Sequence, residues 1–277
     1  AQWWPFASNI PLTARSTATS FPCAALSSIR LLQRPRANKW RKTGGVKRQA
    51  RPAPFHPLVE GLRVSRSFLD HITVTAFSLE AGAAFVFENL GVSPQIGGEH
   101  PRMATHNLLL RLGDTMFLEV IAPNRAVPSP SRPRWFALDS LTSHSSPSLS
   151  TWVVRTPDIR AAVTASSEPL GNIEPMSRGA LDWLITIPAD GSVPLDGVAP
   201  ALIEWHTDVH PATKLEDSGL ALTKLEIIHP TPNRVSRLLS SLDLDAPVSV
   251  LPAVPGASAR LVAYIKTPQG LRILSAP

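Results

Sequence analysis

The chain has 277 residues, 43% of them hydrophobic and 17% charged, which is long enough to bury a full core in one large domain or two small ones. Its 28 prolines exclude long uninterrupted helices, its single cysteine, Cys23, excludes an intramolecular disulfide framework, and no apolar run nears the roughly 18 to 20 residues that cross a bilayer. The net charge of +6 belongs to one end: ten of the 27 Lys and Arg precede Glu60, where there is no acid, leaving 17 of them against all 21 Asp and Glu, so no nucleic-acid partner is expected for the remainder.

Residues 1–66 form a basic segment rich in Arg, Ser, Ala and Pro. Composition leaves three readings open: a disordered extension or sequence from outside the true coding region, an organellar transit peptide, or a basic patch over Arg34 to Arg51. The expected location is cytoplasmic, or mitochondrial if the segment is a transit peptide.

From 67 to 277 the chain repeats one pattern three times, at about 69–123, 151–207 and 222–277. The first copy opens on the strand Leu69 to Ala76. Its helix places Leu79, Ala83, Val86, Phe87 and Leu90 at helical spacing before Gly91 stops it. A middle strand over Thr105 to Leu112 and a closing strand over Phe117 to Pro123 follow. The second copy runs from Trp152 to Thr156, turns at Pro157-Asp158, continues as a weaker helix through Ile159, Val163 and Leu170 to Gly171, and closes on Leu202 to His206. The third has Leu225 to His229, a helix on Val235, Leu238, Leu239 and Leu242, and strands over Ala259 to Lys266 and Leu271 to Leu274. Each copy reads as βαβββ, so the fold class is α+β, with curved mixed sheets that carry helices on one face and form a cleft on the other.

Strand alternation then assigns faces. Ile72, Val74 and Ala76 pack under the first helix, so His71 and Thr73 face the cleft; Leu118 and Val120 pack, so Glu119 faces the cleft. The same rule turns Ile203 and Trp205 toward the second helix and Glu204 and His206 into the cleft, with Glu226 following from the third copy. Carboxylates and imidazoles on a half-buried strand require pairing or a ligand. His71, Glu119, Glu204 and His206 are therefore candidate ligands of a divalent metal, Zn, Fe(II), Ni or Mn, and Glu119 and Glu204 candidate acid–base groups. The alternative is that these groups form buried hydrogen bonds or line a wet cleft. His100, His144, His210 and His229 read as solvent-exposed or capping imidazoles. Trp183 and Trp205 fit a core better than a ligand platform, with Trp205 also a candidate substrate contact. No dinucleotide fingerprint, phosphate loop, nucleophile elbow or His-Glu-x-x-His motif occurs.

Asp70-His71-Ile72, then Thr105-His106-Asn107-Leu108-Leu109-Leu110, then Phe117-Leu118-Glu119-Val120-Ile121-Ala122-Pro123 resemble the glyoxalase-like domain family of the vicinal oxygen chelate superfamily, and the likeness extends over about Leu69 to Leu274. It implies tandem βαβββ modules with metal ligands on opening and closing strands, positions held by His71, Glu119 and Glu204, and it assigns His106 and Asn107 to polar contacts with a substrate. The second opening strand offers Thr151 or Trp152 where a ligand is wanted, and the third closing strand Arg272. The expected function is metal-dependent lyase, isomerase or dioxygenase chemistry on a small oxygen-rich molecule, by a soluble protein able to form a homodimer. The rival is a module that sequesters such a molecule without turnover. A purely structural protein would need a cleft filled by apolar side chains, against which the polar rows argue.

Overall fold

The computed structural model describes residues 66–207 and 209–276; the basic segment read over residues 1–66 lies outside them except for Arg66. Among the described residues no helix is long and apolar enough to cross a membrane. The first module runs β1 (Ser67–Thr75), α1 (Leu79–Leu90), β2 (Gln95–His100), β3 (Thr105–Arg111) and β4 (Phe117–Pro123). The second runs β5 (Ser148–Arg155), α2 (Ile159–Ala165), β6 (Asn172–Arg178), β7 (Leu181–Ile187), a one-turn segment α3 (Pro194–Gly197) and β8 (Ala201–Trp205). Their strands share one sheet in the order β2-β3-β4-β1-β5-β8-β7-β6. In each module the opening and closing strands are parallel neighbours, which requires a crossover between them. The two opening strands meet antiparallel at the centre, and the end strands β2 and β6 come into contact, so the sheet curls on itself.

The third copy has the expected α+β content but a different topology. It comprises β9 (Ala221–His229), α4 (Pro232–Ser241), β10 (Leu244–Asp245), β11 (Val248–Pro252), β12 (Arg260–Thr267) and β13 (Gly270–Ser275). Its sheet is ordered β11-β9-β12-β13, with the opening strand inside the sheet rather than beside the last strand, and only β10 joins the large sheet, pairing with β1. All three copies open on a strand followed by a helix, but only two share strand order and the third has one strand more; hydrophobic periodicity reports faces and not which edges pair. Glu226, expected in the cleft, instead accepts hydrogen bonds from Lys224 Nζ and Tyr264 Oη within this separate sheet.

The helices follow their caps. Ser78 accepts from the Ala81 N–H and Gly91, at φ 74°, ends α1. Asp158 caps α2 from Ala161 N. That helix stops at Ala165, short of Gly171, because the Ser166 hydroxyl bonds the Glu168 backbone on both sides and competes with the helical ladder. One apolar core, including Ile72, Val86, Leu118, Trp152, Leu202 and Leu238, runs through all three copies.

The concave face is more apolar than the sequence suggests. Trp135, Phe136 and Leu138, from the connection between β4 and β5, pack there against Met103, Trp183, Ile185 and Ile203. Phe136 and Ala137 both have left-handed backbones, φ 57° and 54°, a costly conformation for side-chain-bearing residues. It is held by the Ala137 N–H bond to Gly191 O and by the Arg134–Asp139 ion pair. This apolar filling lies mostly on the second module's side of the cleft; the first module's side carries the polar groups His71, Asn107 and Glu119 beside Leu109 and Phe117.

Candidate functional site

On that polar side, β1 is not a regular strand. Its register against β5 slips between Leu69 and His71, leaving Asp70 as an extra residue, and such a bulge re-aims the side chains next to it. Asp70 is fully buried and accepts three hydrogen bonds: from His71 Nδ1 at 2.6 Å on one oxygen, and from Trp205 Nε1 at 2.9 Å and His210 Nε2 at 2.8 Å on the other. Burial pushes its carboxyl upward, but the His210 and His71 hydrogen bonds and charges outweigh this and hold it well below the usual carboxylate range. An ionised Asp70 makes His71 Nδ1 a donor, which leaves Nε2 free. His71 also stacks on Phe117, with centroids 4.4 Å apart, and its Nε2 lies 3.7 Å from Glu119 Oε2.

Glu119 projects from β4 two residues beyond Phe117, which is the register partner of His71. It is 5% exposed, and accepts from Asn107 Nδ2 at 2.6 Å and from Thr73 Oγ1 at 3.4 Å. The other end of the Asn107 amide, Oδ1, accepts from Gly98 N and from Arg178 Nη1 at 3.2 Å. One amide thus stands between a carboxylate and a guanidinium and keeps them from closing into a direct ion pair. The Gly97-Gly98 pair makes room for this arrangement: a Cβ at Gly97 would meet Asn107 Oδ1 at 2.2 Å and one at Gly98 would meet Arg178 Cδ at 2.8 Å. Arg178 Nη1 also bonds His100 Nε2. His100 is buried, and burial first, then the Arg178 charge, push its pKa down to about 3. It is therefore a neutral acceptor at physiological pH.

His71 and Glu119 stand together, and Asn107 and Trp205 line the same small cavity, of ≈ 40 Å³. Other expectations are corrected. Glu204 and His206 do not reach the cavity: β8 is turned over, with Ile203 and Trp205 inward and Glu204 outward, where Oε2 accepts from Ile159 N at the start of α2 and Oε1 bonds the exposed His206. Both rows of β8 are apolar on one side or the other, so alternation alone could not orient it, and a helix N-terminus attracts a carboxylate. Glu204→Ala is accordingly expected to cost about 1 kcal/mol of stability, as for loss of a helix cap, read from the denaturation midpoint, with ligand binding in the cavity unchanged; a loss of binding without a loss of stability would restore Glu204 to the cleft.

His106 alternates with Asn107 and so points to the opposite face of β3, near Glu80 and Glu99, where burial first lowers its pKa. His100 and His210, read as exposed or capping, are both in the site, although His210 also caps its own turn by accepting from Ala212 N. The Gly97-Gly98 pair is a sequence signal that could have marked this site, whereas the bulge at Asp70 is visible only in the strand pairing. Opposite His71 and Glu119 the second module contributes Val153, Ile203 and Trp205, and among the described residues no group of three or more His, Cys, Asp or Glu side chains is arranged to hold one ion. A resident zinc typically takes three or four protein donors; two are present, so the expected ligand set of His71, Glu119, Glu204 and His206 does not assemble.

A model of the glyoxalase-like domain matches residues 69–242. Similar solved structures include a hypothetical protein from Staphylococcus aureus, 13% identical over 68% of this chain and 86% of that one, with a TM-score of 0.49. Others are the Mn(II)-bound glyoxalase from Novosphingobium aromaticivorans (10% identity, 77% of this chain and 82% of that one, TM-score 0.42) and a Streptomyces coelicolor methylmalonyl-CoA epimerase in complex with 2-nitronate-propionyl-CoA (16%, 52% and 99%, TM-score 0.35). A comparison with curated proteins gives no match.

Proposed function

The chain belongs to the glyoxalase-like domain family of the vicinal oxygen chelate superfamily, and from that premise we propose an enzyme of lyase or isomerase type that moves a proton on a small oxygen-bearing substrate. One observation carries this reading. A single imidazole, His71, is held by a buried carboxylate at Nδ1 and presents Nε2 to a second carboxylate, Glu119, at 3.7 Å. Asp70 sets the tautomer, so the Nε2 lone pair faces the cavity and can take a proton from a carbon next to a carbonyl and return it. Asp70 and Glu119 stabilise the imidazolium so formed. Asn107 and Thr73 hold Glu119 in place, and the apolar far wall keeps water from competing for the proton.

A divalent ion is not required by this scheme, and a dioxygenase, which needs a redox ion held by the protein, suits two donors poorly. The second reading, sequestration without turnover, is favoured by the apolar side chains that fill the other half of the cleft.

The test is deuterium uptake from D2O in the presence of a chelator. A panel of 2-oxo acids, hydroxyketones and aldehydes is followed by proton NMR at the carbon next to the carbonyl. At least one compound is expected to exchange faster with protein than in buffer. Binding without exchange would establish sequestration; exchange that depends on added metal would overturn the metal-free scheme; neither binding nor exchange would sink both readings.

A further inference from the structure

Arg178 has no role in the proton transfer above, yet it stands in the cleft with neutral hydrogen-bond partners alone. It lies at the end of β6, half-buried, and among the described residues it forms no ion pair. Its hydrogen-bond partners are two neutral acceptors, Asn107 Oδ1 and His100 Nε2, both at 3.2 Å and both to Nη1. Nε and Nη2 carry three further donors in the planar fork that suits a carboxylate. Arg102 and Arg132 nearby differ in this respect, since both bond Glu174. A half-buried guanidinium without a counter-charge is a ready anchor for an anion, and its partial burial lowers the Arg178 pKa while Glu119 opposes this. A second donor without a partner lines the same cavity: Trp135 is 3% exposed and its indole N–H has no acceptor among the described residues.

Arg178 lines the inner of two neighbouring spaces. The inner cavity of ≈ 40 Å³ is far below the roughly 300–1,000 Å³ of a site that takes a whole small molecule, so a substrate enters it by a small head group. His100 and Trp183 line both this cavity and a groove of ≈ 600 Å³ whose walls include Pro101, Pro175, Met176 and Leu184, with Arg102, Asp182 and His206 exposed along it. We propose that Arg178, assisted by the Trp135 indole N–H, anchors the carboxylate of an organic acid whose apolar body lies in this groove. The inference rests on the reading of the cleft as the substrate site and adds the class of molecule that it takes. The Asn107 amide separates the two charges, so the ligand's carboxylate and Glu119 do not compete for the same donors. His100, neutral and hydrogen-bonded, positions the guanidinium without cancelling its charge.

Calorimetric titration of the full chain with phenylacetate and with its neutral isostere phenylacetamide tests this. Phenylacetate is expected to bind at least about tenfold more tightly than the amide, a difference of about 1.4 kcal/mol. Arg178→Gln is expected to erase the preference and Arg178→Lys to retain part of it, since lysine keeps the charge and loses the fork. Should Arg178→Gln fail to fold, judged by circular dichroism, the unsubstituted protein and Arg178→Lys decide the matter. Equal binding of acid and amide, binding of neither, or a preference that survives Arg178→Gln overturns the proposal. Acid binding without deuterium exchange leaves the anchor standing and removes the proton-transfer scheme; exchange confined to neutral compounds does the reverse.

Discussion

His71→Ala is expected to slow deuterium exchange by about 10²- to 10⁴-fold, the usual worth of a positioned general base, while phenylacetate binding changes little. The asymmetry follows from the two imidazoles on Asp70. His210 donates Nε2–H to Asp70, and its Nδ1 accepts from Ala212 N, so neither ring nitrogen is free. His71 donates only Nδ1–H and keeps Nε2 toward Glu119. His210 is therefore a positioning residue. His210→Ala is expected to weaken exchange by less than His71→Ala and to shift its pH profile, because Asp70 then has one donor fewer with which to set the His71 tautomer. Equal exchange by His71→Ala and the unsubstituted protein would remove His71 from the reaction.

Asp70→Ala is expected to destabilise the fold by about 3–5 kcal/mol at neutral pH, the cost of removing one member of a buried charged network. His71, Trp205 and His210 would each lose an acceptor, and these groups come from β1, β8 and the turn after β8, so both modules loosen together. The pH dependence has a definite sign. Burial raises the Asp70 pKa, but its histidine donors lower it by more, to well below the roughly 3.9 of an unfolded chain. The folded protein thus keeps the charge where the unfolded chain takes up a proton. The contribution is complete above about pH 5 and is lost as pH falls through the folded value. Urea midpoints between pH 7 and pH 3 should fall more steeply for the unsubstituted protein than for Asp70→Ala. Parallel curves, or a loss under about 1 kcal/mol, would show that the three donors find other partners.

The faces of the first module were legible in the sequence because each strand there has one apolar row and one polar row. Ile72 and Val74 against His71 and Thr73, and Leu118 and Val120 against Glu119, admit one orientation under a helix, and the folded chain adopts it. In β8 the pattern is ambiguous, since Leu202, Ile203 and Trp205 put apolar side chains on both faces. The deciding influence was distant: the α2 N-terminus takes Glu204, and Asp70 takes the Trp205 N–H.

Local pattern by itself determined the α+β class, the end of the first helix at Gly91, the start of the second at Asp158 and the pairing of His71 with Glu119 on one face, all of which depend on residues a few positions apart or on simple alternation. Tertiary structure alone decided the different strand order of the third copy, the apolar filling carried by Trp135 and Phe136, and the convergence of Asp70, His100, Arg178 and His210. Those contacts join residues 71 to 140 positions apart. No period within a segment encodes which strand edges meet or which buried charges share a hydrogen bond; the closure of the curled sheet sets both.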